Sequence, residues 1–254
     1  MLSHERKTHL LSILSQTGSV IAKGVSRELQ VSEDTIRRDL RELAKDGHLK
    51  RVHGGAVPVA AANAPFPRRI GIATPEKAEI GKRAAAMIEP GQVVFVDGGT
   101  TALQLVRSIP QRLSATIITH SPGIAMELLD HESLEVEIVG GRLSRHSVVT
   151  HGAATIAWLD RYRPDICFIG ATGLHPEQGI TTGQSEDAEV KRAIIARSGA
   201  AIILASSEKF GAVSGFEVAG WADVDGLIVA EEAHSKANNL FGHLGCEIHA
   251  PVTA

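Results

Sequence analysis

Three arginines and a basic ribbon lie close together near the start of the chain, at a spacing that suits contact with a polyanion. Arg37, Arg38 and Arg41 fall within residues 31–56, VSEDTIRRDLRELAKDGHLKRVHGGA, ahead of Lys50, Arg51 and His53. Ile36, Leu40 and Leu43 recur at spacings of four and three. That places them on one buried helical face and turns the arginines, with Thr35 near the N-terminus, to the other side. Ser32 can cap this helix by accepting a backbone N–H, and Glu33 and Asp34 suit its positive first turn. Gly47 is placed to end it in the left-handed conformation. His48 to His53, closed by Gly54-Gly55, reads as a short hairpin. Such a pair has the chemistry for double-stranded DNA, with the helix for base edges and the ribbon for phosphates. Ser32, Thr35, Arg37, Arg38, Arg41, Lys50, Arg51 and His53 are the candidate contacts.

The elements that must position these residues precede them. Leu10, Ile13 and Leu14 give a first helix its core stripe. Val20 to Leu29 reads as a second helix, and Gln30-Val31-Ser32 as the short turn into the third. An exposed amphipathic helix would by itself account for TIRRDL. Three helices, a turn and a ribbon in this order within 56 residues point instead to a winged helix-turn-helix.

A second set of small and polar residues punctuates the rest of the chain. After a linker-like, proline- and alanine-rich stretch (Ala56–Pro67), Thr74-Pro75 reads as a cap and first turn of a helix to about Ile88. Strands then alternate with helices: strands at 92–97, 115–119, 136–140, 166–170, 201–206, 227–230 and 247–249, and helices to 109 and over 123–129, 153–162, 186–198 and 231–244. Residues 142–150 add a further short strand. This pattern implies a parallel sheet covered on both faces, hence an α/β domain. The spans are 1–57 for the winged head, 58–73 for the linker and 74–254 for the α/β domain.

Sheets of this kind bind ligands outside the carboxyl ends of their strands. Those ends here are Asp97-Gly98-Gly99-Thr100-Thr101, Thr119-His120-Ser121, Gly140-Gly141, Gly170-Ala171-Thr172-Gly173 and Ser206-Ser207-Glu208-Lys209. Any one is an ordinary strand-to-helix turn, but the fold brings all five to one rim. Gly98–Thr101 opens a helix with flexible backbone, two hydroxyls and no further acid, so its N–H groups suit a phosphate. Glu186, Asp187 and Glu189 crowd a later helix start with carboxylates that repel phosphate and satisfy the helix dipole. Glu189 or Asp97 would accept from sugar hydroxyls, and Lys209 would supply a cation. The candidate ligand residues are Asp97, Gly98, Gly99, Thr100, Thr101, Thr119, His120, Gly141, Gly170, Glu189 and Lys209.

Composition agrees with a two-domain globular protein: 254 residues, 43% hydrophobic and 22% charged, with a net charge of −3. The charge divides unevenly. Residues 1–58 carry ten Lys/Arg against seven Asp/Glu, and the remainder 16 against 22. A basic head on an acidic body fits a small anion-contacting module. Cys167 and Cys246 lie in apolar runs and read as buried free thiols of a cytoplasmic protein. No apolar run reaches the roughly 18–20 residues needed to cross a bilayer. Neither G-x-G-x-x-G after the first strand nor a P-loop is present, and the histidines lack metal-site spacing, so no cofactor and no metal are expected.

The N-terminal region resembles the DeoR family of bacterial transcription regulators, through VSEDTIRRDL, Gly47-His48-Leu49 and Arg51…His53-Gly54-Gly55-Ala56. The resemblance continues through Asp97–Thr101, Gly140-Gly141, Gly170–Gly173, Glu189-Val190-Lys191-Arg192-Ala193 and Lys209-Phe210-Gly211. It thus spans essentially the whole chain. It implies a sugar-phosphate isomerase-like effector domain and a regulator, usually a repressor of a carbohydrate operon, whose operator affinity responds to a phosphorylated sugar or related metabolite. Gln30 stands where the family often has glycine, and His120 where it often has asparagine. One short head reads few base pairs, so a homodimer or homotetramer is expected. The alternative is an isomerase-like enzyme with a DNA-binding head. Against it, the loop Ala171-Thr172-Gly173-Leu174-His175 holds no carboxylate before Glu177 to move a proton beside a carbonyl.

Overall fold

The computed structural model describes residues 2–17, 19–46, 48–58 and 64–250. Gly47 and its expected left-handed cap lie outside the described residues, as do residues 59–63 of the expected linker.

Helix α1 (Ser3–Thr17), strand β1 (Val20–Ile21), helix α2 (Ala22–Glu28), helix α3 (Glu33–Lys45) and strands β2 (Leu49–Val52) and β3 (Gly55–Pro58) form the head. Leu10, Leu14, Ile36, Leu40, Leu43, Leu49 and Ala56 make its core. Ile36 and Leu40 are almost wholly buried, each contributing about 1.5–3 kcal/mol. The sequence places Val20-Ile21 in the second helix, but the two residues are a strand. They pair antiparallel with Ala56 and Gly55, so the hairpin becomes a three-stranded sheet in the order β1-β3-β2. That pairing explains Gly55, where a Cβ would lie 1.8 Å from the Val20 carbonyl oxygen. The turn before α3 places Gln30 at φ +52°, a left-handed conformation that glycine adopts at no steric cost.

One polar contact crosses this core. Asp39, inside the TIRRDL segment, is 2% exposed and pairs with Arg6 of α1. Arg6 Nη2 donates to Asp39 Oδ1 at 3.1 Å, and the Ser3 hydroxyl reaches the same oxygen at 3.4 Å. The pair pins α1 across the back of α3.

The segment read as linker holds structure of its own. Helix α4 (Phe66–Arg69) packs Phe66 on the core of the α/β domain, and the Phe66 N–H donates to the His146 carbonyl at 2.8 Å. Helix α5 (Thr74–Ala85) starts at its expected cap, one residue earlier than the sequence places it. Ala73, at φ +48°, is the N-cap, and Thr74 is already helical.

The α/β domain is built on a seven-stranded parallel sheet of β4 (Val93–Val96), β5 (Ala115–Thr119), β6 (Leu134–Ile138), β9 (Ile166–Gly170), β12 (Ala200–Leu204), β14 (Gly226–Ile228) and β15 (Glu247–His249). Its order is β15-β14-β12-β9-β4-β5-β6. Helices α5, α6 (Thr100–Arg107) and α7 (Pro122–Glu127) pack one face. Helices α8 (Ala153–Leu159), α9 (Ser185–Ile195) and α10 (Glu231–Phe241) cover the other. Residues 142–150 form two strands rather than one, β7 (Arg142–Ser144) and β8 (Val149–His151). The loop after β9 contains β10 (Gly173–His175) and β11 (Gly179–Thr182). These join β13 (Phe216–Ala219) in an antiparallel sheet that the sequence did not reveal.

Asp39→Ala leaves Arg6 without its carboxylate and should cost the head about 3–5 kcal/mol. Hydrogen exchange of the α1 and α3 amides checks this. The double variant Arg6→Met/Asp39→Leu should recover most of the loss.

Candidate functional site

Two sites emerge, one on each domain. On the head, Ser32 caps α3 as expected, its Oγ accepting the Thr35 N–H at 3.2 Å, with the Thr35 hydroxyl 2.8 Å away. Arg37, Arg38 and Arg41 project from the exposed side of α3. Arg37 donates to Glu33 at 2.7 Å, one turn back. A concave surface between α3 and the hairpin is lined by Arg37, Arg51, His53 and Gly54. Lys50 is half-buried, and burial lowers its pKa. The helix and the hairpin thus present their cations toward one groove, with Arg38 and Arg41 on the exposed side of α3.

In the α/β domain the chain order of the sheet reverses between β4 and β9, where a crevice opens beyond the strand ends. Asp97 follows β4 at that point and is 1% exposed. Its Oδ2 accepts the Gly170 N–H at 2.8 Å and pairs with Lys191; its Oδ1 accepts from His120 Nε2 at 2.8 Å. His120 Nδ1 faces the Thr150 carbonyl, also at 2.8 Å. Both ring nitrogens thus face oxygen atoms. Burial alone would raise the pKa of Asp97, but Lys191 and His120 outweigh it and hold the carboxyl well below the usual range. Burial likewise opposes the charge on Lys191, and Asp187 and Asp97 outweigh it and raise its pKa.

Around this lock lies a pocket that includes Asp97, Gly98, Gly99, Thr100, Thr101, Gly170 and Lys209. The glycines have a steric reason: a Cβ on Gly98 would lie 2.1 Å from Val149 Cγ1, and Gly99 takes φ +117° as the N-cap of α6. Other expected residues stand elsewhere. Thr119 and His120 are fully buried behind the pocket wall, with His120 acting through Asp97. Gly141 packs on Thr155 and His151 and does not line the pocket. Glu189 points to solvent: two residues on from Asp187 along α9, it falls on the opposite face. Asp187 and Lys191, four apart, face the pocket instead. Asp187 accepts from the Thr182 hydroxyl at 2.6 Å, while Glu186 pairs outward with Arg142.

Sequence reasoning missed Arg69, Lys77 and Lys191 as pocket cations, and Glu208 as its third carboxylate besides Asp97 and Asp187. Lys191 was within reach, since it sits one helical turn from Asp187. Burial lowers the pKa of Arg69, partly offset by Asp187 and Asp97. It also lowers that of Lys77, against the opposing charge of Glu208. Lys209 is 5% exposed, and burial pushes its amine down to about 8. Its one hydrogen bond among the described residues is a 3.4 Å contact to the Leu204 carbonyl. Among the described residues no cluster of His, Cys, Asp or Glu is arranged for a metal ion, and no helix is long and apolar enough to cross a membrane.

A helix-turn-helix head with a basic wing, joined to an α/β domain that carries a polar pocket at its switch point, is the build of a ligand-responsive DNA-binding regulator. The chain belongs to the DeoR family. Residues 6–61 match the DeoR-like helix-turn-helix domain, and residues 72–231 match the DeoR C terminal sensor domain. It is 31% identical to the HTH-type transcriptional repressor GlcR of Bacillus subtilis, over 98% of this chain and 96% of the relative. It is 32% identical to the transcriptional regulator GlpR of Haloferax volcanii, over 89% of each chain. The glycerol-3-phosphate regulon repressor of Escherichia coli is 29% identical over 83% of this chain and 84% of its own. Among solved structures, ribose 5-phosphate isomerase A of Methanocaldococcus jannaschii aligns over 53% of each chain, at 20% identity and a TM-score of 0.39. The chain is a transcription regulator rather than an enzyme.

Two outcomes follow from these geometries. Arg37→Ala and Arg38→Ala should each weaken operator binding by about 1–3 kcal/mol where a base contact is lost, or flatten the salt dependence where a phosphate contact is lost. Gel-shift titrations at two salt concentrations distinguish the two, and unchanged binding by the double variant removes α3 as the recognition helix. For the pocket, Lys209 is charged below about pH 8 and neutral above it. Affinity for a phosphate dianion should therefore hold steady up to about pH 8 and fall up to about tenfold per unit beyond it. Calorimetry of wild type and Lys209→Met at pH 7 and 9 checks this; the variant should bind more weakly at pH 7 and respond less to pH.

Proposed function

We propose that this regulator represses a carbohydrate-metabolism operon and that a phosphorylated sugar or related metabolite, held in the switch-point pocket, sets its affinity for operator DNA. One observation carries the reading: the pocket's charge does not balance without an anion. Lys191 is committed to Asp97 and Asp187. That leaves Arg69, Lys77 and Lys209 against the single carboxylate Glu208. Over the whole lining four cations face three carboxylates, and the resulting excess of positive charge suits a phosphate monoester, which carries about −1.5 to −2 at neutral pH. It lies beside the N-terminus of α6, where the backbone N–H groups of Thr100 and Thr101 supply donors. The Bacillus and Escherichia relatives, a transcriptional repressor and a glycerol-3-phosphate regulon repressor, support the same reading.

Ser32, Thr35, Arg37, Arg38, Arg41, Lys50, Arg51 and His53 serve the operator in this account. Two or four copies of the chain act together, because one α3 spans too few base pairs for specificity. Asp97 and the lining glycines shape the ligand site, while Thr100, Thr101 and Lys209 hold the phosphate. Turnover of the ligand is not part of the reading. The carboxylates Asp97 and Asp187 are occupied by Lys191, and Glu177 of the β10–β11 loop is exposed outside the pocket.

A thermal-shift panel of glucose 6-phosphate, fructose 1-phosphate, fructose 6-phosphate, ribose 5-phosphate and glycerol 3-phosphate tests the assignment. A compound at a hundred times its dissociation constant should stabilise the sensor domain by about 2.7 kcal/mol. Thr100→Val should abolish that shift and leave operator affinity unchanged. A variant that responds at wild-type concentrations would move the site elsewhere.

A further inference from the structure

The outer wall of the pocket is contributed by a segment outside both domains recognised by sequence. Arg69 lines the pocket, while the matched domains span residues 6–61 and 72–231. Arg69 therefore sits on the connection itself, and only residues 59–68 separate it from Pro58 at the end of the wing.

That connection is fastened to the sensor domain at defined points. Phe66 packs on the core and donates its N–H to His146, another pocket residue. The Lys77 ammonium donates to the Arg69 carbonyl at 3.0 Å and also to the Ile72 carbonyl. The Thr74 hydroxyl donates to the Ile70 carbonyl at 3.1 Å. The backbone of the strap is thus held while its one inward cation is left without a partner. Arg69 makes no side-chain hydrogen bond or ion pair among the described residues. Its Nε is buried without a partner, and its guanidinium lies 5.8 Å from the centre of the Phe66 ring. The carboxylates of opposite charge nearby, Asp97 and Asp187, are occupied by Lys191. Arg69 Nη1 stands just 3.8 Å from where a Cβ on Gly99 would be, directly over the N-terminal turn of α6.

We propose that Arg69 is an anion ligand of the pocket and the residue through which occupancy reaches the DNA-binding head. This rests on the reading of the pocket as a phosphorylated-metabolite site. An anion seated on the Thr100 and Thr101 N–H groups bonds Arg69 from below. The same event draws the strap toward α6 and changes the path of the chain leaving the wing. A ligand shifts an equilibrium only by its different affinity for the two states, and Arg69 is where that difference is generated. Residues that touch the ligand from the sensor side, Thr100 and Lys209, contribute affinity common to both states.

Calorimetry and operator titrations on the full chain test this, using whichever of glucose 6-phosphate, fructose 1-phosphate or glycerol 3-phosphate binds wild type most tightly. Arg69→Ala should weaken binding of that compound by about tenfold or more, as expected for losing one partner of a desolvated charge pair. At concentrations that calorimetry shows to be saturating, the ratio of operator dissociation constants with and without compound should fall close to one. Phe66→Ala removes a strap anchor and the ring beside Arg69 but keeps the cation itself, so it should lower compound affinity less than Arg69→Ala does while also shrinking that ratio. It decides the matter if Arg69→Ala cannot be saturated. Retention of the wild-type ratio in a saturated Arg69→Ala protein, or in Phe66→Ala where saturation fails, overturns the transmitting role. Failure of wild type to bind any of the compounds overturns the pocket reading itself, and this proposal with it.

Discussion

The sensor domain depends on one buried carboxylate. Asp97 sits where the sheet reverses direction and is bonded by groups from three other places in the chain: His120 after β5, Gly170 at the end of β9 and Lys191 on α9. Burying a lone carboxylate costs several kcal/mol, which only well-placed donors offset. With Lys191, the His120 ring and a backbone N–H around it, Asp97 stays ionised and ties the ends of β4, β5 and β9 to α9. The crevice beyond those strand ends is thus walled by an ion pair.

This lock also determines what remains for a ligand. Lys191 and His120 are consumed by Asp97, so the cations that still face the pocket are those with weak partners or none. Their depressed pKa values share burial as the leading cause, to which repulsion from the neighbouring cations adds for Lys77 and Lys209. A polar pocket that has paid this electrostatic cost in advance is preorganised for a small dianion. The head is built differently. Its buried pair, Arg6 and Asp39, is internally balanced, and most of its other cations are exposed, where a polyanion can reach them. One domain hides its positive charge for a small ligand, and the other displays it for a large one.

Much of this was legible in the chain because the signals are local. Apolar spacing of four and three defines α3 and its arginine face, and Ser32 caps that helix through a neighbour three residues away. Parallel strands that are buried on both faces announce themselves as short apolar runs, and all seven were placed within two residues of their observed ends. Gly98 to Thr101 was singled out as a phosphate-suited turn from the residues alone, through two glycines and two hydroxyls at a helix start, and all four line the pocket. Val20-Ile21 was misassigned for the converse reason. Two β-branched residues beside a helix carry no sign of the partner, Ala56 and Gly55, that makes them a strand. The β10, β11 and β13 sheet was missed for the same cause, since Ile180 finds Ala219 only after folding.

The pocket's charge was decided by tertiary structure. Asp39 and Asp97 look alike in sequence, as acids beside arginine or glycine, yet both are buried locks whose partners lie far along the chain. Helix phase decided that Lys191 and Asp187 face inward and Glu189 outward, a difference of one or two positions that motif matching does not resolve. Arg69 came from a stretch whose prolines and alanines read as a tether. The physical reason is common to these cases. Spacing and turn chemistry act over a few residues and can be read in order, whereas burial and ion pairing depend on which distant segments a fold brings within a few ångströms.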